Sequence, residues 1–353
     1  MKIKSLLLLA FIPVTSFLPA ISIAAIDVTD TFRISGFGTQ SATVTDQKIP
    51  TFYQLNLDDE WCFDCDTTLG IQLDWEMSDH FRSSVQVVKA PSDEFSNPSL
   101  EWAYIAYRYG ELNTKIGRLR VPLFMISEYY YVSEAYPWLR PPQDVYNSVL
   151  GFTYFDGAAI EWDTWINDEA HLRLLAFGAV PKETDYTVQG QNVVIKSRDT
   201  LGITAELNLD NTHFRASYLH ANYKQDLVQS ITGSQELELF TLGVNYLLGN
   251  INLMSEVVLS QNIHSNWYIS ANYLFDSWSP YITYSQRKKL RNNESVLVGA
   301  KYSLLPNVST YVEWQHIWGR EKPINGHFTV PQNPTQTIQS KVNIYSIGLS
   351  FTF

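Results

Sequence analysis

The sequence predicts an all-β fold, a transmembrane antiparallel β-barrel of about sixteen strands with short turns at one end and long loops at the other. Three observations carry that prediction. Aromatic residues make up 14% of the 353-residue chain, with 10 Trp and 21 Tyr, yet the mean hydropathy is only −0.14. Beyond residue 24 no stretch approaches the roughly 18 apolar residues that a spanning helix needs. From Tyr345 to Phe353 the odd positions are Tyr, Ile, Leu, Phe and Phe, while the even ones are Ser346, Gly348, Ser350 and Thr352. A period of two gives such a strand one face for lipid and one for a small, polar lumen. When only alternate residues meet lipid, many Tyr and Trp coexist with modest hydropathy.

The first element, 1–24, reads as an export signal. Lys2 and Lys4 form its positive start, Ser5 to Phe17 its apolar middle, and Ser22-Ile23-Ala24 the small residues of a cleavage site after Ala24. The barrel then occupies 25–353. Strands are expected at 32–42, 67–77, 81–90, 100–109, 113–121, 154–164, 170–180 and 198–209. Eight more follow at 212–222, 236–248, 250–260, 266–275, 280–289, 294–304, 308–318 and 341–353. Tight connections such as Ser78-Asp79, Asp210-Asn211, Gly249-Asn250 and Leu305-Pro306-Asn307 are turn formers. They alternate with longer polar segments at 43–66, 91–99, 122–153, 181–197, 223–235, 261–265, 290–293 and 319–340. Closure of the barrel leaves no unpaired edge in lipid. Trp75, Trp162, Trp165, Phe275, Trp278, Tyr302 and Phe353 sit at strand ends beside the short turns, as an interfacial aromatic girdle would.

Among the long connections, 122–153 is too aromatic and proline-rich for a solvated loop. Leu123, Phe124, Met125, Tyr129, Tyr130, Tyr131, Tyr136 and Trp138 need something to pack against, and the inside of the barrel wall supplies it. This third long loop, with GRLRVPLFM, YPWLRPP and the following Phe155-Asp156-Gly157, resembles one group of proteobacterial trimeric porins. The aromatic final residue likewise resembles the assembly signature of outer-membrane proteins. The resemblance implies a homotrimer in the outer membrane, in contact with lipid and lipopolysaccharide, whose third loop folds inward and narrows a water-filled channel for small hydrophilic solutes. It also implies an eyelet in which basic wall residues face loop carboxylates. The expected constriction residues are Arg118, Arg120 and Arg140 against Glu128, Glu134 and Asp144, with Tyr129 and Tyr136 beside them. On a regular strand Arg118 and Arg120 cannot face the lumen together with Lys115, so a bulge is expected there. Gly36, Gly38, Gly70, Ala103 and Gly348 are expected to allow close approach of a neighbouring subunit.

Five cations, Arg33, Arg82, Lys115, Arg173 and Arg215, lie out of phase with the apolar Phe32, Phe81, Ile116, Leu172 and Phe214. Each should point into the lumen, because a charge facing lipid costs ~2–4 kcal/mol near the midplane. On the intervening strands the inward positions are Gln72, Asp74, Glu76, Glu161, Asp163, Glu206 and Asn208. Two readings stay open. The cations form a basic ring that enriches anions, or they are cross-strand partners of the neighbouring carboxylates.

Cys62 and Cys65 lie in the first long loop. In an exported chain an intramolecular disulfide is expected, since a zinc site needs about four ligands and no second Cys pair exists. Asp58, Asp59, Glu60, Asp64 and Asp66 around them read either as a divalent-cation site or as a solvated acidic loop. No cofactor or metal is called for, and a formal net charge of −11 argues against nucleic acid. The His residues, including His80, His171, His213, His264, His316 and His327, show no recognisable spacing with a nucleophile, so catalysis is not expected. The reading is passive diffusion through a porin, with an anion-preferring channel carrying a saturable site as the alternative.

Overall fold

Period-two alternation, Gly and Asn at tight turns, and β-branched or aromatic outward positions produce strands almost throughout. The computed structural model describes residues 25–52, 55–91, 97–147, 153–188, 191–227, 230–261, 265–289, 292–319, 327–328 and 340–353. The expected export segment 1–24 and His264 lie outside the described residues. The strands are β1 (Ile26–Thr29), β2 (Phe32–Thr45), β3 (Thr68–Glu76), β4 (Phe81–Lys89), β5 (Ser99–Tyr109), β6 (Leu112–Arg120), β7 (Tyr154–Asn167), β8 (Ala170–Ala179) and β9 (Lys182–Val188). They continue as β10 (Gln191–Leu209), β11 (Thr212–Leu227), β12 (Ser230–Leu248), β13 (Ile251–Leu259), β14 (Ser265–Tyr273), β15 (Trp278–Arg287), β16 (Asn293–Leu305), β17 (Val308–Gly319) and β18 (Lys341–Thr352).

Apart from β8 and β9, each strand pairs antiparallel with its chain neighbour, β8 pairs with β10, and β18 returns to β2 through Ile344↔Thr45 to Thr352↔Phe37. The result is a closed barrel of sixteen strands, β2–β8 and β10–β18, as expected from the sequence. β1 pairs only with the start of β2, and β9 only with the upper part of β10. Outward positions form an apolar band: Ile116 is 64% exposed, Val312 61% and Ile347 57%. Trp75, Trp162, Trp165, Phe275 and Trp278 are exposed at its turn-side margin.

Three expectations are corrected. Residues 181–197 and 223–235 were expected to be loops, but β9, β10, β11 and β12 run through most of them. A lipid-facing apolar row marks a strand in the sequence only at bilayer depth, and paired strands that project beyond a bilayer need none. No bulge interrupts β6, which stays in continuous register with β5 and β7. The irregularity falls instead between β4 and β5, opposite Gln86 and Val87. Within β6, Gly117 adopts φ +137°, and a Cβ there would lie 2.2 Å from the Ala103 carbonyl oxygen, so only glycine fits. Finally, Gly70 and Gly348 do not offer an outer surface for a neighbour. Their Cβ sites are filled by Phe37 and by Leu139 of the third loop.

Candidate functional site

The third loop begins at Pro122 and lies inside the barrel. Its described residues contain two 3₁₀ turns, Ser127–Tyr129 and Ser133–Ala135, and one short helix, α1 (Gln143–Tyr146). Leu123, Phe124, Met125, Ile126, Tyr136, Trp138, Leu139, Val145 and Tyr146 are all buried. All of them but Leu139, which lies against Gly348, pack on inward-facing Leu219, Leu237, Leu239, Met254, Val258, Tyr268, Tyr281 and Leu297, so the wall under the loop is apolar where an open lumen would be polar. Trp138 is edge-on to Tyr268 with ring centroids 5.6 Å apart, and its Nε1–H donates to Thr283 Oγ1 at 2.8 Å.

Polar anchors run along the wall in strand order. The Pro122 carbonyl accepts from Thr204 Oγ1 on β10 at 2.8 Å and from Ser217 Oγ on β11 at 3.2 Å. The Leu123 carbonyl accepts from Thr241 on β12 at 2.6 Å. The Met125 N–H donates to Glu256 on β13, and the Leu139 N–H to Glu313 on β17, each at 2.7 Å. Unpaired, such groups would cost free energy inside the barrel. Here strand side chains replace the water they lost. The loop is therefore seated on β10–β18 and β2. Gln72, Asp74, Arg82, Trp102 and Tyr104 on β3–β5 remain partly exposed.

The six charged residues expected at an eyelet do not pair with one another. Arg118 forms a bidentate pair with Asp156 (2.8 and 3.2 Å), with Lys182 also on Asp156 at 2.8 Å. Arg118 shares the phase of outward Ile116, whereas Leu119 is buried against the inner cluster. Arg120 bonds Glu101 and the Ser127 carbonyl and lies over the Tyr131 ring, at the root of the loop. Arg140 reaches Asp66 of the first loop at 2.5 Å and Ser346 on β18 at 2.8 Å. Glu128 pairs with Arg215, and Glu134 with Lys301, Ser309 and Ser350. Asp144 accepts from Ser285, Asn293, Ser295 and His327. Burial alone would push the Asp144 carboxyl up; the His327 hydrogen bond and charge, with Ser285 and Asn293, hold it down to about 2. The Tyr136 hydroxyl donates to the Tyr130 carbonyl, and Tyr129 is half-buried against the inner cluster.

Of the five lumen cations, three belong to one chain of alternating charge. Glu128–Arg215 (2.8 Å), Arg215–Glu206 (3.2 Å), Glu206–Arg173 (3.3 Å), Arg173–Glu161 (2.8 Å) and Glu161–Lys115 (3.2 Å) follow one another around the wall. Three cations and three carboxylates cancel. Arg33 pairs with Asp27 on β1. Arg82 stands in register across from Glu76 and makes no ion pair among the described residues.

Cys62 and Cys65 are joined by a disulfide. The acidic loop around them is not simply solvated, because Asp66 is 3% exposed and bonded to Arg140, Ser41 and Thr43. Phe52, Leu55, Leu57 and Cys65 form a second buried cluster with Ile317, Phe328, Val342 and Ile344. Asp66, Glu256 and Glu313 were not expected as anchors. An acidic residue at an inward position flanked by apolar inward ones, as Glu256 is by Met254 and Val258, is the signal that was available.

A closed sixteen-stranded barrel with an apolar outer band and an internal loop is the fold of the porins. Solved structures of that kind are what the chain is similar to. It matches the anion-selective porin of Comamonas acidovorans with a TM-score of 0.63 at 10% identity, over 92% of this chain and 99% of that one. OmpF of Salmonella typhi, solved with daunomycin, matches with a TM-score of 0.61 at 14% identity, over 91% and 97% of the two chains. The outer-membrane channel DcaP of Acinetobacter baumannii matches with a TM-score of 0.59 at 11% identity, over 91% and 97%. No family model matches the chain, and no curated protein matches it in sequence.

Proposed function

We propose that the protein is an outer-membrane porin, exported by its N-terminal signal and assembled as a homotrimer in contact with lipid and lipopolysaccharide. It passes small hydrophilic solutes and ions by diffusion, and its third loop sets the constriction. The observation that carries this reading is the seating of the loop. Anchors from β10 to β18 hold it against one side of the barrel, and the polar inner faces of β3–β5 remain partly exposed. Fixed polar and charged groups on such a wall replace part of a solute's hydration.

Single-channel recording in planar bilayers tests the proposal. Deleting Ser127 to Ala135 should raise conductance severalfold while the barrel keeps its heat-modifiable mobility on gels. Unchanged conductance in a folded deletion would remove the loop from the constriction. Arg82, without an ion pair among the described residues, favours a second reading in which the pore prefers anions and saturates with them.

A further inference from the structure

Just past its second 3₁₀ turn the third loop meets an anchor that belongs to the first loop. Asp66 is buried, and its Oδ2 accepts from Arg140 at 2.5 Å, from Ser41 at 2.8 Å and from Thr43 at 2.9 Å. Arg140, 8% exposed, joins the third loop to Asp66 and to Ser346 at the same time. Its Nη2 also lies 3.9 Å from Glu313 Oε2, a buried atom without a hydrogen-bond partner among the described residues. One guanidinium is thus placed between two buried carboxylates, one on a loop and one on the wall.

Backbone at 62–67 decides where Asp66 sits. Cys62 is stitched to β2 by two hydrogen bonds with Thr43, at 2.8 and 2.9 Å. Cys65 is buried among Leu55, Leu57, Ile317 and Ile344. The disulfide ties Cys65 back to the β2-bound Cys62, and Asp66 is the next residue. On the other side the Thr67 carbonyl accepts from Lys89 Nζ at 2.8 Å.

We propose that the Cys62–Cys65 disulfide and Asp66 form a positioning device for the second half of the third loop, so that cleavage of the disulfide releases that half from the first loop. The proposal rests on the channel reading for its functional consequence, but its structural content is separate. A dithiol reductant supplies the chemistry. Its thiolate attacks the sulfur of Cys62, the less buried of the two residues, and displaces Cys65 as thiolate, and its second thiol then displaces Cys62. The protein gains two electrons and two protons, and the reductant closes to a disulfide. With the turn opened, Asp66 loses its fixed approach to Arg140, and the guanidinium keeps only the Ser346 and Thr43 hydroxyls and the more distant Glu313. Of the two carboxylates that flanked the guanidinium, only Glu313 on the wall remains beside it.

The test follows amide exchange of 133–147 by mass spectrometry in the detergent-folded protein, with and without dithiothreitol, alongside single-channel conductance. Exchange in that segment should quicken at least roughly tenfold on reduction, as loss of a charge-assisted buried hydrogen bond implies. Asp66→Asn should show the same increase without reductant, Asp66→Glu should recover part of the protection, and β13–β17 should be unaffected in all. A Cys62→Ser/Cys65→Ser variant should exchange fast and ignore the reductant. If reduction and Asp66→Asn both leave 133–147 protected in a folded barrel, the device does not exist. If exchange quickens while conductance stays put, and the Ser127–Ala135 deletion also leaves it unmoved, the constriction reading fails and the positioning device stands.

Discussion

At Asp144 one buried carboxylate gathers Ser285 at 2.5 Å, Asn293 at 2.6 Å, Ser295 at 3.1 Å and His327 at 2.8 Å. Four donors from three different segments converge on one residue of α1, and that convergence fixes the far end of the third loop. Because the carboxyl is held at about 2 against an ordinary 3.8, its folded-state value lies below its unfolded one. The stabilisation it gives is therefore present above about pH 4 and lost as pH falls toward 2, an amount on the order of 2 kcal/mol. Protection of the 143–147 amides should hold from pH 7 to pH 4 and collapse only below. Asp144→Ala should remove that protection already at pH 7, since four donors then lose the acceptor they share. Equal protection in variant and wild type would show that the apolar packing of Val145 and Tyr146 suffices alone.

At the scale of elements, the strands and the inward loop behave as two separately stabilised units. Cross-strand register from β2 to β18 makes no use of the loop, whereas the loop depends on inward side chains such as Tyr268, Thr283 and Glu313. Trp138→Ala should therefore cost the loop about 3–5 kcal/mol of docking and leave the barrel folded. Conductance should become larger and noisier while heat-modifiable gel mobility is unchanged; loss of that mobility would show that the barrel needs the loop to close. All sixteen barrel strands were legible, because lipid imposes a strict apolar row on one face of each. Residues such as Leu219, Leu239 and Leu297 also announce burial on the second face of β11, β12 and β16, yet nothing local says that 122–153 covers them. The long upper parts of β10–β12 were illegible for the opposite reason, since outside lipid no apolar row is required. The eyelet was only partly legible. Phase placed Lys115, Arg173 and Arg215 inward, but Arg118, Arg120 and Arg140 found partners (Asp156, Glu101 and Asp66) from β7, the bulge of β5 and the first loop, which spacing does not reveal.

Over the whole molecule the net charge of −11 says little about which ion the pore prefers, because local pairing decides what a permeating ion meets. Along the wall from β6 to β11, Lys115, Arg173 and Arg215 alternate with Glu161, Glu206 and Glu128 at 2.8–3.3 Å. An ion several ångströms from such a row sees near-cancelling dipoles, so the row fixes register and hydrates the lumen more than it selects. Arg82 is different: it has no ion pair among the described residues, and Glu76, its cross-strand neighbour, is exposed. A potassium chloride gradient should therefore give a small reversal potential of the anion-preferring sign. Arg82→Ala should carry it through zero toward cation preference, and the shift should shrink as salt rises from ~0.1 M to ~1 M, where the screening length falls from ~10 Å to ~3 Å. Arg173→Ala should also move the potential that way, because it leaves Glu161 and Glu206 sharing only Lys115 and Arg215. Arg118→Ala should leave the potential within error, since its pair with Asp156 and Lys182 lies on the phase of Ile116 rather than that of Lys115. A response to Arg118→Ala as large as that to Arg82→Ala would put the selective contact at the outer end of β6, and the wall of β3–β5 would lose its assigned part in permeation.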